Sequence, residues 1–498
     1  MDNLPVPEIK KEPLPTVATR DYVFLVIFFA LSLLLSHVSF ALFGLGWAIS
    51  ISLLLAASLV YLKGKLQFSA LSYISLISTF IIAASFFVHG ENNFAVLKFL
   101  FLIFSISVFF VSAGGFSSRR IDCFGIIFAP LSLVFNVGLI NAPKVARACI
   151  KKDSGIGSKI AKIALALICV FPLAAVIVVL LAWSDAAFEG FVDAFDFDID
   201  ELLRTLIWAI LYFAVVFPIV FVINKKMFKE REATASSRRG IDSLFVNTVL
   251  SVVSIIYLLF IITQFSYIFN SFAGLLPKDF TYSEYARRGF GEMCVICIIN
   301  FAIIAISMAI TARNENGELP FATRLLSVFI SGFSIFLVIV AIAKMFMYIR
   351  NYGLTFLRLG TSIFMLLLFV VFAAMIIKTF KPQFLHIRVI VAAACIIMGI
   401  TAIFEPYAVI ASYNTYAYES GMHDSIDLWY LQYECGAYGL PKMIELTEDD
   451  NVYVADKAKE YLEHFRVREN YTGKIDWREF SVSNYIARQK LAEYKSGK

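Results

Sequence analysis

The stretch TYSEYARRGFGEMCVICIINFAIIAISMAI, Thr281–Ile310, decides the fold class. From Val295 onward only Asn300 and Ser307 interrupt an apolar run. Read as a helix over 289–311, it is long enough to cross the hydrocarbon core of a bilayer, about 30 Å thick. Its first half is the opposite: Glu284, Arg287, Arg288 and Glu292 crowd the helix mouth. Thr281-x-x-Glu284 matches a capping box, so a helix is expected to start there. On that helix Glu284, Arg288 and Glu292 fall at i, i+4 and i+8 on one face, with Asn300 deeper on broadly the same side.

The rest of the chain is the same kind of material. Of 498 residues, 60% are hydrophobic and 16% charged, with 50 Phe and a mean hydropathy of +0.78. A soluble domain is about half apolar and about a quarter charged. The chain therefore reads as an all-α, polytopic helical membrane protein of about 11 spans. They lie near 21–40, 43–62, 67–88, 94–114, 160–183, 204–224, 243–268, 289–311, 325–349, 359–379 and 389–410. The segment 123–140 is broken by Pro130 and Asn136 and flanked by Arg119, Arg120, Lys144 and Arg147, and reads better as a re-entrant or interfacial helix.

Charge sets the expected orientation. With the N-terminus inside, Lys10, Lys11, Arg20, Lys63, Lys65, the run 225–239, Arg313, Arg324, Lys378, Lys381 and Arg388 are cytoplasmic. The opposite loops near 36–45, 88–93 and 184–203 contain no Lys or Arg, which is the positive-inside pattern. The organisation expected is a polar tail (1–20), a four-helix region (21–114), a basic segment (115–159), a seven-helix core (160–410) and an extracytoplasmic helical domain (411–498). That last domain has 11 basic and 15 acidic residues, against a basic remainder. Its helices are expected from Asp424 or Ser425 into DLWYLQYE, at PKMIEL, over VADKAKEYLEHF and over SNYIARQKLAEYK.

A second charged mouth, KMFMYIRNYGLTFLRLG, joins the ninth and tenth spans. Gly353 suits a left-handed helix stop and Thr355 the next cap. Arg358 then falls in a helix's first turn, where the macrodipole disfavours a cation, and Arg350 stands across the turn. Lys98, Lys344 and Glu405 lie near the same outer level. Ionisable groups in spans are costly and usually face the bundle interior, a partner or water. Together these residues suggest a cationic chamber suited to phosphate or carboxylate. The plainer reading is that arginines at span ends reach to lipid phosphates and that Glu–Arg pairs solvate a helix end.

Four pieces carry a resemblance: VFPLAAVIVVLLAWSDAAFEGFV, TYSEYARRGFGEM, YGLTFLRL and DLWYLQYECGAYGLPKMIEL. In this order the chain, over roughly residues 160–446, resembles an uncharacterised family of bacterial multi-pass membrane proteins, the domain of unknown function 4153/4173. The resemblance implies a bacterial plasma membrane and supplies no activity.

The seven cysteines form no disulfide framework, and Cys294 and Cys297, a CxxC inside a helix, read as packing. Asp196, Asp198 and Asp200 begin a calcium-loop pattern, but Glu201 takes the place of the glycine that loop needs. No phosphate loop, HExxH or GxSxG occurs. No cofactor, resident metal or nucleic acid is expected. The expected partners are membrane lipids, an anionic small molecule or lipid-linked ligand, and an envelope or membrane protein docked on 411–498. Three functions stay open: a non-enzymatic binder that moves or reports an anionic ligand, an outer-leaflet enzyme on a lipid-linked phosphate or glycan, and an assembly scaffold.

Overall fold

The computed structural model describes residues 14–90, 92–116, 124–150, scattered positions within 159–184, then 199–227, 241–273, 290–314, 318–463 and 476–497. Four helices open the chain: α1 (Thr19–Ser39), α2 (Leu45–Tyr61), α3 (Ala70–His89) and α4 (Ala95–Ala113). The long helices α5 (Ile199–Lys225), α6 (Ser243–Ala273), α7 (Phe290–Ile310), α8 (Phe321–Tyr352), α9 (Phe356–Phe380) and α10 (His386–Phe404) follow. The chain closes with α11 (Pro406–Glu419), α12 (Gly439–Glu445), α13 (Val452–Glu463) and α14 (Val482–Lys495). Among the described residues ten helical segments are long and apolar enough to cross a membrane, and α2, with 17 residues, is a shorter apolar helix. The protein is thus an all-α polytopic helical protein. The expected span at 160–183 lies largely outside the described residues.

Exposure follows a lipid solvent. Leu244, Ile262 and Phe321 are each at least 70% exposed, while Ser75, Ser105, Ser331 and Asn300 are buried. A helix in hydrocarbon keeps its backbone bonds to itself and turns apolar side chains outward, so polar groups gather between helices.

The two ends of the bundle are closed differently. At one end, Arg20 donates to the Val60 and Tyr61 carbonyls at 2.6 and 3.2 Å. Buried Asp21 accepts from the Tyr61 hydroxyl at 2.8 Å and pairs with Lys225 at 2.6 Å, joining α1, α2 and α5. Nothing in the sequence near Asp21 pointed to that pairing. We call this the open end. The segment Ala129–Ile150 is long enough to span but is not one straight helix: a wide π-type turn covers Ser132–Leu139, and a turn at Ile140–Asn141 precedes Ala142–Ile150. Gly138 lets it lie against α5, where an added Cβ would stand 3.3 Å from the Val215 carbonyl oxygen. It regains the open end, where the Tyr22 hydroxyl donates to the Cys149 carbonyl at 3.2 Å.

The C-terminal helices close the other, capped end. Leu428, Leu431, Leu440, Met443, Leu462 and Leu491 share one apolar core with Phe94 of α4, Leu354 between α8 and α9, and Tyr407 and Ile410 of α11. Backbone bonds run from Leu45 to the Phe480 carbonyl (2.9 Å) and from Gly46 to that of Arg478 (3.0 Å). The Ser483 hydroxyl donates to the His89 carbonyl at 2.9 Å. The Arg478 guanidinium bonded to Asp476 holds that carboxyl below the usual carboxylate range. Asp427, rather than Asp424 or Ser425, caps the DLWYLQYE helix, accepting from the Tyr430 N–H at 2.9 Å, because its side chain is the one placed three residues before that N–H.

Cys435 sits in this C-terminal core, and burial pushes its thiol up to about 12. It is expected to resist maleimide at neutral pH in the folded protein and to react once denatured, read by mass spectrometry of the labelled peptide. Modification of native Cys435 at the denatured rate would show that the cap opens.

Candidate functional site

The candidate site lies at the capped end, in two parts built by two helix breaks. The first break is Glu405–Pro406. A residue before proline is disfavoured in the helical region, and Glu405 adopts φ 47°, rare for a side chain other than glycine. Its N–H still closes α10 on the Thr401 carbonyl at 3.1 Å, and its carbonyl opens α11 by accepting from Ala408 and Val409. Such strain, of order 1–3 kcal/mol, persists where surroundings over-determine it.

Those surroundings are polar and enclosed. Glu405 and Lys98 are both 0% exposed, and Lys98 Nζ lies 3.0 Å from Glu405 Oε2. The other carboxylate oxygen, Oε1, accepts from Asn92 Nδ2 at 3.0 Å. Lys98 Nζ also reaches the Gly90 carbonyl at 3.5 Å and lies over the Phe86 and Phe94 rings at 5.5 and 5.7 Å. Next to the pair, His89 bonds the Tyr438 hydroxyl through Nδ1 and the Ile403 carbonyl through Nε2, tying α3, α10 and the C-terminal domain together. The sequence placed Lys98 and Glu405 at one level; the fold brings them into contact.

The second break is the α8–α9 hairpin. Gly353 has φ 74° and its N–H returns to the Ile349 carbonyl; Thr355 Oγ1 accepts from the Arg358 N–H at 3.5 Å. The α8 helix has 32 residues, about 48 Å at 1.5 Å each, so it outreaches the hydrocarbon core. Arg358 does not endure the positive end of α9 alone. Its guanidinium turns back to the last carbonyls of α8, donating through Nη1 to Tyr352 (2.8 Å) and Gly353 (2.5 Å). It lies 4.0 Å from the Tyr348 ring centroid and 5.9 Å from that of Tyr352. The cation thus sits at the negative end of the preceding helix, where the dipole favours it. Tyr348 was not singled out from sequence, although its place ten residues before Arg358, one helix end to the next, was the available signal.

The Arg350 side chain is exposed, and its backbone carbonyl meets His423 Nε2 at 2.9 Å. Among the described residues no carboxylate is paired with Arg350 or Arg358. Lys344, half-buried on α8, has a partner of its own. Glu292 is exposed in the first turn of α7. Glu284, Arg287 and Arg288, with the expected capping box, lie outside the described residues.

Compared with known families, the chain matches the one described as Domain of unknown function (DUF4153) over residues 76–446, well over half its length. The chain belongs to that family. The DUF4153 match starts within α3, earlier than the likeness legible by eye, and takes in Lys98, the α8–α9 hairpin and Glu405, whereas α13 and α14 follow it. We found no curated protein and no solved structure that matches the chain.

Proposed function

We propose that this DUF4153 protein binds an anionic ligand, a lipid headgroup or lipid-linked phosphate, at the α8–α9 mouth. It would act as a transport or sensor-like component of a bacterial plasma membrane. The capped end faces outward in this reading, and the basic residues of the open end, including Arg20, Lys63, Lys65, Arg313 and Arg324, support that orientation. One observation carries the proposal: Arg358 is held in place by carbonyls and an aromatic face, no carboxylate neutralises it among the described residues, and exposed Arg350 stands on the same hairpin. A fixed guanidinium with N–H groups left over is suited to a phosphate oxygen. Lys98 and Glu405 neutralise each other, so in this proposal they support the site rather than hold the ligand.

The test compares thermal unfolding of the purified protein in detergent with added phosphatidylglycerol or phosphatidylcholine. Native protein should be stabilised by the anionic lipid more than by the neutral one. Charge-assisted bonds contribute about 1.5–3 kcal/mol, so Arg350→Gln and Arg358→Lys should each weaken the anionic-lipid effect about tenfold or more in concentration. Equal response of native and doubly substituted protein would sink the proposal.

A scaffold role through residues 411–498 is the second reading. It draws on Trp429, Tyr433 and Tyr453, each more than half exposed on the cap, since exposed aromatics are over-represented in protein interfaces.

A further inference from the structure

Away from the capped end, α6, α7 and α8 enclose a row of polar groups that the anion site does not use. Thr323, Ser327, Ser331 and Ser334 recur on α8 at intervals of four, four and three, one face of a helix. All four are 0% exposed. The row covers twelve residues, about 16 Å of helix from first to last, roughly half the hydrocarbon core.

Both ends of the row are tied across to the facing helices. At the open end the Thr323 hydroxyl donates to Asn247 Oδ1 of α6 at 2.7 Å. In the middle of the bundle Asn300 of α7, itself 0% exposed, donates through Nδ2 to Ser334 Oγ at 2.9 Å and accepts from the Tyr257 hydroxyl of α6 at 2.5 Å. Tyr257 stacks on Phe333 at 4.0 Å and 11°. Beyond Ser334 the same α8 face becomes apolar with Val338 and Met345, both buried.

Between the tied ends lie Ser327 and Ser331 on the same face of α8, yet neither buried hydroxyl has a hydrogen-bond partner among the described residues. A serine in a helix commonly satisfies its hydroxyl on the carbonyl four residues back, as Ser334 does on Ile330 at 2.9 Å. Two buried hydroxyls left unsatisfied would cost about 1–3 kcal/mol each. Bundle interiors meet that cost with ordered water wherever two or more polar partners converge.

We propose that α6, α7 and α8 hold a file of water molecules on Ser327 and Ser331, a hydrated half-path from the open end that stops at the Tyr257–Asn300–Ser334 junction. The row itself, Thr323, Ser327, Ser331 and Ser334, brings hydroxyls and no carboxylate or imidazole, so the path suits water and protons passed along water rather than a resident metal ion. It is independent of the anion site and stands or falls separately.

Radiolytic hydroxyl-radical labelling of the intact protein tests it, because radicals form from water beside the side chain they modify. Phe333, 4% exposed beside the seam, should be oxidised several-fold faster than Phe372, which is 0% exposed in the apolar cluster between α6, α7, α8 and α9. In the Ser327→Ala, Ser331→Ala double variant the Phe333 rate should fall to that of Phe372. Equal rates in the native protein would show a dry seam and overturn the proposal. So would an unchanged Phe333 rate in the double variant, or a variant that is simply more stable with labelling unaltered.

Discussion

Replacing Glu405 with alanine is expected to destabilise the protein by about 3–5 kcal/mol, the usual cost of removing one partner of a buried ion pair. Lys98 would keep its rings and the Gly90 carbonyl but lose the Glu405 carboxylate, in a place with 0% exposure. Asn92 would lose its acceptor as well. The effect should be read as a drop in the midpoint of thermal unfolding in detergent, with earlier proteolysis of the C-terminal helices, since Glu405 is the joint between α10 and α11. The sharper check is the charge-free pair: Lys98→Met with Glu405→Leu should recover most of the loss, because the desolvation of both charges disappears with them. An alanine variant as stable as native protein would show that the pair adds nothing to the cap.

The second large effect is steric. Gly439 opens α12 directly beneath the Leu431 carbonyl, and a Cβ there would stand 1.8 Å from that oxygen. No rotamer change can relieve a clash between a Cβ and a backbone oxygen, so Gly439→Ala should cost at least about 3 kcal/mol, the upper range for overpacking. Loss of the compact cap would appear as rapid proteolysis after residue 420, with the spanning helices retained. Gly332 and Gly360 serve as controls: an added Cβ meets nothing within 4 Å at either. Alanine there should be neutral or stabilising by about 0.5–1 kcal/mol through helix propensity. If Gly439→Ala behaves like those controls, the packing of α12 on Leu431 is looser than described.

The helices were legible because hydrophobic length needs no partner to be read. Val295–Ile310 declares a span wherever it is placed, and Gly353 and Thr355 declare a stop and a start by backbone chemistry alone. The amphipathic helices Val452–Glu463 and Val482–Lys495 were visible for the same reason. Arg358 was harder. Local rules put a cation at the wrong end of α9, and only the hairpin shows it resting on the right end of α8.

Sequence by itself determined that this is a many-helix membrane protein whose last helices are polar, and where most of its helices begin and end, because burial in lipid and helix capping act over a turn or a span. Only the tertiary structure decided that Lys98 meets Glu405 across 307 positions, and that Asp21 meets Lys225. It also showed the ends of the Thr323-to-Ser334 row bonded to Asn247 and Asn300 rather than turned toward lipid. Those contacts depend on helix rotation and neighbour choice, which many side chains settle together and no single stretch of sequence encodes.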